Sequence, residues 1–157
     1  MKRNFASPSL VHLLLLALLG GCGTGPATTQ SSLPTVSMKI GARTFTLEVA
    51  ADEYSRERGL MERDSMPADH GMIFVFPSDS SEGFWMKNTH IPLDILFIDA
   101  GGKVVSVHTM KPFDMNTTSS DGEYRYAIEL NAGAAADVGV KAGDHVDIPR
   151  NVGAASH

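Results

Sequence analysis

The chain carries one cysteine in 157 residues, so no disulfide can close within it. It has no Gly-x-Ser-x-Gly turn that would expose a nucleophilic serine beside a base. Phosphate-loop and dinucleotide fingerprints are missing too, because Gly101-Gly102 lacks the helix-opening context they need. There is no basic excess: 13 Lys and Arg stand against 18 Asp and Glu, a net charge of −5. A net acidic chain is a poor partner for nucleic acid or for an anionic membrane surface. No internal repeat and no block of like charge appears. The apolar run over residues 10–19 is too short to cross a bilayer as a helix.

What is present begins with that same run. Lys2 and Arg3 precede it and small residues follow, the order of a secretory signal. Leu19-Gly20-Gly21-Cys22 resembles the lipobox of bacterial lipoproteins, which implies cleavage before Cys22 and a lipid on its sulfur. Lipidation would account for a lone cysteine in an exported chain. Residues 1–21 are thus expected to be a signal peptide, and residues 22–35, rich in Gly, Thr, Ser and Pro, a flexible tether. Losing residues 1–21 removes two bases and no acid, which leaves 11 against 18, a net −7. The expected address is the cell envelope, with the membrane as a partner through the lipid on Cys22. Gly23, with no Asp after the cysteine, resembles the sorting signal for the outer membrane, periplasmic face, in a Gram-negative source.

Residues 36–149 are one domain's worth of chain, and residues 150–157 are expected to fray. Val36-Ser37-Met38-Lys39-Ile40 and Thr44-Phe45-Thr46-Leu47-Glu48-Val49 alternate apolar with polar around Gly41, the pattern of a hairpin. The period changes over residues 52–63, where Asp52 can cap a short helix that Gly59 weakens. Met72-Ile73-Phe74-Val75-Phe76 is continuously apolar and predicts a strand buried on both faces. Residues 77–83 predict a turn, 84–87 and 93–98 strands, and 100–102 a hairpin turn into a strand over 103–108. A polar loop over 110–123 leads to a strand over 124–130, a short Ala-rich helix over 132–138 and a last strand over 145–148. Many short strands with two short helices predict a mainly β fold, a compact sandwich or partly closed barrel.

The stretch from Gly83 to Asp99 gathers the most chemistry. Trp85, the only tryptophan, offers a stacking surface, and Lys87, Asn88 and Asp94 add a cation, an amide and an acid. With Arg56 from the helix and Glu129 from the late strand, these residues predict a pocket for a small polar ligand, or a face for an envelope partner. The alternative is structural: Trp85 as a core anchor, Asn88 as a turn-former and Asp94 as a partner for Lys87 or Arg56, in an accessory domain without ligand. His70, His90, His108 and His145 are scattered over loops and strand ends, and no catalytic motif emerges, so no catalytic residue is assigned and no cofactor is expected.

A second reading is copper. All but one of the eight methionines lie beyond residue 21, and thioethers with imidazole suit Cu(I). Met86, His108 and Met110 resemble the latter part of the Met…His-x-Met pattern of periplasmic copper chaperones, although Val75 stands where a first ligand is wanted. Methionine is equally a filler of irregular core gaps.

Taken in order, several motifs are similar to those of the DUF192 family. They are Arg56-Glu57-Arg58-Gly59-Leu60-Met61-Glu62-Arg63, Gly71-Met72-Ile73-Phe74-Val75-Phe76, Phe84-Trp85-Met86-Lys87-Asn88-Thr89, Ile91-Pro92-Leu93-Asp94-Ile95 and Ala127-Ile128-Glu129-Leu130-Asn131-Ala132-Gly133. The resemblance implies a mainly β, often exported domain, and assigns it no activity.

Overall fold

The computed structural model describes residues 33–152. The leader, Cys22, most of the tether and the last residues of the tail lie outside them. β1 (Thr35–Ile40) and β2 (Arg43–Ala50) form the expected hairpin, with Ile40 opposite Arg43. α1 (Glu53–Arg58) follows. Asp52 closes a capping box, accepting from the Ser55 amide at 2.9 Å while the Ser55 hydroxyl accepts from the Asp52 amide at 3.3 Å. The helix stops after six residues because Gly59 takes a φ of 48° that ends the helical backbone.

The remaining strands are β3 (His70–Ser80), β4 (Leu93–Ile98), β5 (Val104–Met110) and β6 (Tyr124–Asn131). A four-residue helix, α2 (Ala134–Asp137), comes after β6. All six strands make one sheet in the order β1-β2-β3-β6-β4-β5. β2 and β3 are parallel, with α1 in their connection, and every other pair is antiparallel. The fold is mainly β with two short helices, as expected, and the sheet stays open rather than closing into a barrel.

Each face of this sheet carries a core, which is why β4 is buried at all six positions and the centre of β3 reads as unbroken apolar sequence. On one face Leu47, Ile73, Leu96, Ile128 and Leu130 pack under α2 and the C-terminal segment, including Val138 and Val146. On the other, Met72, Phe74, Ile95, Phe97 and Ala127 pack under Leu60, Met86 and Ile91. Among the described residues no helix is long and apolar enough to cross a membrane.

Four local expectations are corrected. Residues 77–80 continue β3 rather than turning, with a register shift between Val75 and Ser80 where Pro77 has no amide hydrogen to give. Residues 84–87 are not a strand: Phe84 makes one isolated bridge to Thr118, and Asn88, at φ 53°, turns the chain. Residues 145–148 keep only the bridge between Lys103 and His145. Val152, expected to fray, is buried in the first core, its amide donating to Pro149 at 3.0 Å.

Candidate functional site

The face covered by Leu60 and Met86 holds a cavity of ≈ 430 Å³ between α1, the loop ahead of β4 and the sheet. Aromatic rings build its wall. Phe84 meets Phe74 edge-on at 5.0 Å and Phe97 at 5.6 Å, and Phe97 contacts Tyr124 at 4.8 Å. The Tyr124 hydroxyl donates to the Glu82 carbonyl at 2.7 Å and ties the loop to the sheet. Burial pushes the Tyr124 phenol above its ordinary range. Gly83 lies where the loop crosses its neighbour, and a Cβ there would meet Thr117 Cγ2 at 1.9 Å unless that exposed side chain moved.

Glu129 of β6 lines the cavity from the sheet side. It sits between Met72 of β3 and Ile95 of β4 and is 5% exposed. No donor among the described residues hydrogen-bonds its carboxyl. Burial in this apolar setting pushes it from 4.5 up to about 8, and the Arg63 charge pulls back only part of that. Arg63 itself forks onto Glu48, at 2.5 and 2.8 Å, one strand beyond Met72 on the same face. On the other side of Ile95, in β5, stands His108. Glu53, Glu57 and Glu82 line the cavity with Arg56 and Arg58.

Of the six residues singled out from sequence, three meet here: Arg56, Trp85 and Glu129. Arg56 Nη1 donates to the Ala51 carbonyl at 2.6 Å and the Val75 carbonyl at 3.2 Å, and its guanidinium lies 5.3 Å from the Phe76 ring centre. Trp85, 47% exposed, stands at the rim with Lys87 Nζ 5.1 Å over its ring. Lys87 is thus attached to the site through Trp85 rather than lining it. Asn88 is exposed, and its part in the turn is to offer its carbonyl to the Glu62 amide at 2.8 Å.

Asp94 lies elsewhere. It faces the opposite core, accepting from Thr109 Oγ1 at 2.7 Å and the Ala135 amide at 3.0 Å. Gly133, the residue before α2, has no side chain to cap the helix, and Asp94 supplies that acceptor. Sequence reasoning missed Glu53, Glu57, Glu82 and the ring wall. The Phe74 and Phe76 alternation was the available signal, but a continuous apolar run does not say which rings border a void.

Of the copper candidates, Met86 and Met110 are buried and His108 is half-buried. Met86 and Met110 belong to the core of the cavity's face, and His108 packs against Phe97 at 6.0 Å with a buried Nε2 that has no partner. Among the described residues no three His, Cys, Asp or Glu side chains group as a metal site.

An open, mainly β sheet with a core on each face and a carboxyl-floored cavity defines the class. The chain belongs to the DUF192 family, described as an uncharacterized ACR, whose pattern matches residues 36–148. A crystal structure from Sinorhizobium meliloti 1021, provisionally described as a transcription regulator, shares 37% identity. It aligns with a TM-score of 0.70 over 75% of this chain and 96% of that one. A protein of unknown function from Novosphingobium aromaticivorans DSM 12444 shares 29% identity, with a TM-score of 0.69 over 79% and 90%. No curated protein matches the chain.

Proposed function

We propose that this chain is a lipid-anchored cell-envelope protein whose DUF192 domain binds a small ligand in the cavity beside Glu129. The observation that carries the binding reading is the Glu129 carboxyl, buried without a donor in the wall of an aromatic-lined cavity. Polar groups without partners are rare in interiors, and in a concave apolar site such a group fixes the orientation of a guest. The lipobox-like run ending at Cys22 and the uncharged tether after it support the anchoring. The regulator description of the Sinorhizobium protein is not extended to this chain, because the acidic balance here disfavours DNA.

The test is direct, since Trp85 is the only tryptophan and stands at the rim. A panel of small polar compounds is titrated while Trp85 emission and thermal stability are followed. A compound that shifts both in the native chain, and loses its effect in Phe84→Ala, supports the reading. A panel that moves neither leaves a structural accessory domain. The anchor is tested separately: Cys22→Ala is expected to move the protein from the membrane to the soluble envelope fraction.

One observation favours copper as a second reading, the partnerless Nε2 of His108, which stands opposite Ile95 on the sheet face whose core contains Met86 and Met110. Cu(I) binding that disappears in His108→Ala would support it, and no binding at micromolar metal would end it.

A further inference from the structure

We propose that the guest of this cavity is an organic cation, a small ammonium or guanidinium on an apolar or aromatic body, with Glu129 as its counter-ion. This rests on the cavity being a binding site and adds the charge of what it binds.

Four carboxyl groups border the cavity against two guanidinium groups. Arg56 is the more engaged of the two guanidinium groups, and Arg58 is exposed. Arg56 holds two backbone carbonyls and lies over Phe76, and Arg58 reaches the Tyr54 hydroxyl at 3.4 Å. The rings of Phe74, Phe76, Phe84 and Trp85 also line the cavity, and aromatic π faces attract cations. The rim already shows this preference, with Lys87 over the Trp85 ring. At the inner wall, Glu129 has no donor, and a guest ammonium would supply both the hydrogen bond and the opposite charge it lacks. An anionic guest would face the exposed carboxylates of Glu53, Glu57 and Glu82.

The experiment uses the full chain and three probes of one shape: phenethylammonium, 2-phenylethanol and phenylacetate, followed through Trp85 emission. The ammonium is expected to bind about tenfold or more tighter than the alcohol, and the acid weakest. In Glu129→Gln that preference should shrink to about threefold or less. Equal or tighter binding of alcohol or acid, or a preference that survives in Glu129→Gln, overturns the proposal while leaving a binding site. If no probe moves Trp85 at millimolar concentration, the binding reading itself falls and this one with it. A second measurement does not depend on the variant folding: calorimetry at pH 7 in two buffers of different ionisation enthalpy. The ammonium should release a proton on binding and the alcohol none; an ammonium that binds without proton release at pH 7 and with no loss of affinity down to pH 4 overturns the assignment of Glu129 as counter-ion.

Discussion

Glu48 and Glu129 flank Met72 on one face of the sheet, and Arg63 forks onto Glu48 while leaving Glu129 without a donor among the described residues. Two acids in nearly the same apolar setting are therefore held in opposite ways. One is a paired wall of the fold, and the other faces a void.

The first consequence is a pH dependence of stability. Glu129 is raised from 4.5 to about 8 by folding. Between those values the folded chain holds a proton that the unfolded chain has released, so stability falls as pH rises through that window and levels off above it. The slope attributable to Glu129 is at most roughly 1.4 kcal/mol per pH unit. Glu129→Gln should remove it, so the variant gains on the native chain from pH 5 to pH 8 in urea unfolding. Parallel curves would mean that Glu129 is ionised in the fold.

The Arg63–Glu48 pair should outweigh a second one of similar length. Arg63 and Glu48 have side chains only 26% and 12% exposed, while Arg125 and Asp79, at 3.0 Å, are 30% and 49% exposed. Arg63→Ala should cost about 2–4 kcal/mol by leaving a mostly buried carboxylate, and Arg125→Ala under about 1 kcal/mol. Chemical denaturation of the two variants decides it; equal losses would show that burial does not separate them.

Asp94 acts on stability alone. Asp94→Ala removes the acceptor of two hydrogen bonds, one of them from the first turn of α2, and should cost about 2–4 kcal/mol. Because it faces the other core, Trp85 emission and probe binding should be unchanged below the melting temperature. Loss of binding in a folded Asp94→Ala chain would place it back in the site.

Gly83 joins the cavity loop to the 111–123 loop. Gly83→Ala puts a methyl group into Thr117 and strains the bridge between Phe84 and Thr118. A loss of about 1–3 kcal/mol is expected, with a shifted Trp85 emission as the rim moves. Thr117→Ser in the same chain should recover part of it by vacating Cγ2.

The strands whose alternation or apolar run is local were legible: β1, β2, β4, β5 and β6 lie close to where the periodicity put them. The helix α1 was legible from its cap and its glycine, and ended earlier than residue 63 because Gly59 turns the backbone at once. Residues 84–87 misled because Phe84-Trp85-Met86 has strand composition, yet its hydrogen bonds go to Thr118 and Asp114 across a loop.

Sequence by itself determined the mainly β class, the family and the set of side chains able to make a site, because these depend on composition and on short-range spacing. Which acid belongs to the site was decided only by the tertiary structure. Asp94 and Glu129 both interrupt apolar strands, and by sequence Asp94, inside the Trp85-to-Asp94 corner, was the stronger candidate and Glu129 the weaker. In the sheet Glu129 stands opposite Ile95 and Asp94 opposite Leu130, and residues directly opposite share a face. Side chains alternate with a period of two, so that register sends the two acids to opposite sides. One caps α2, and the other lines the cavity.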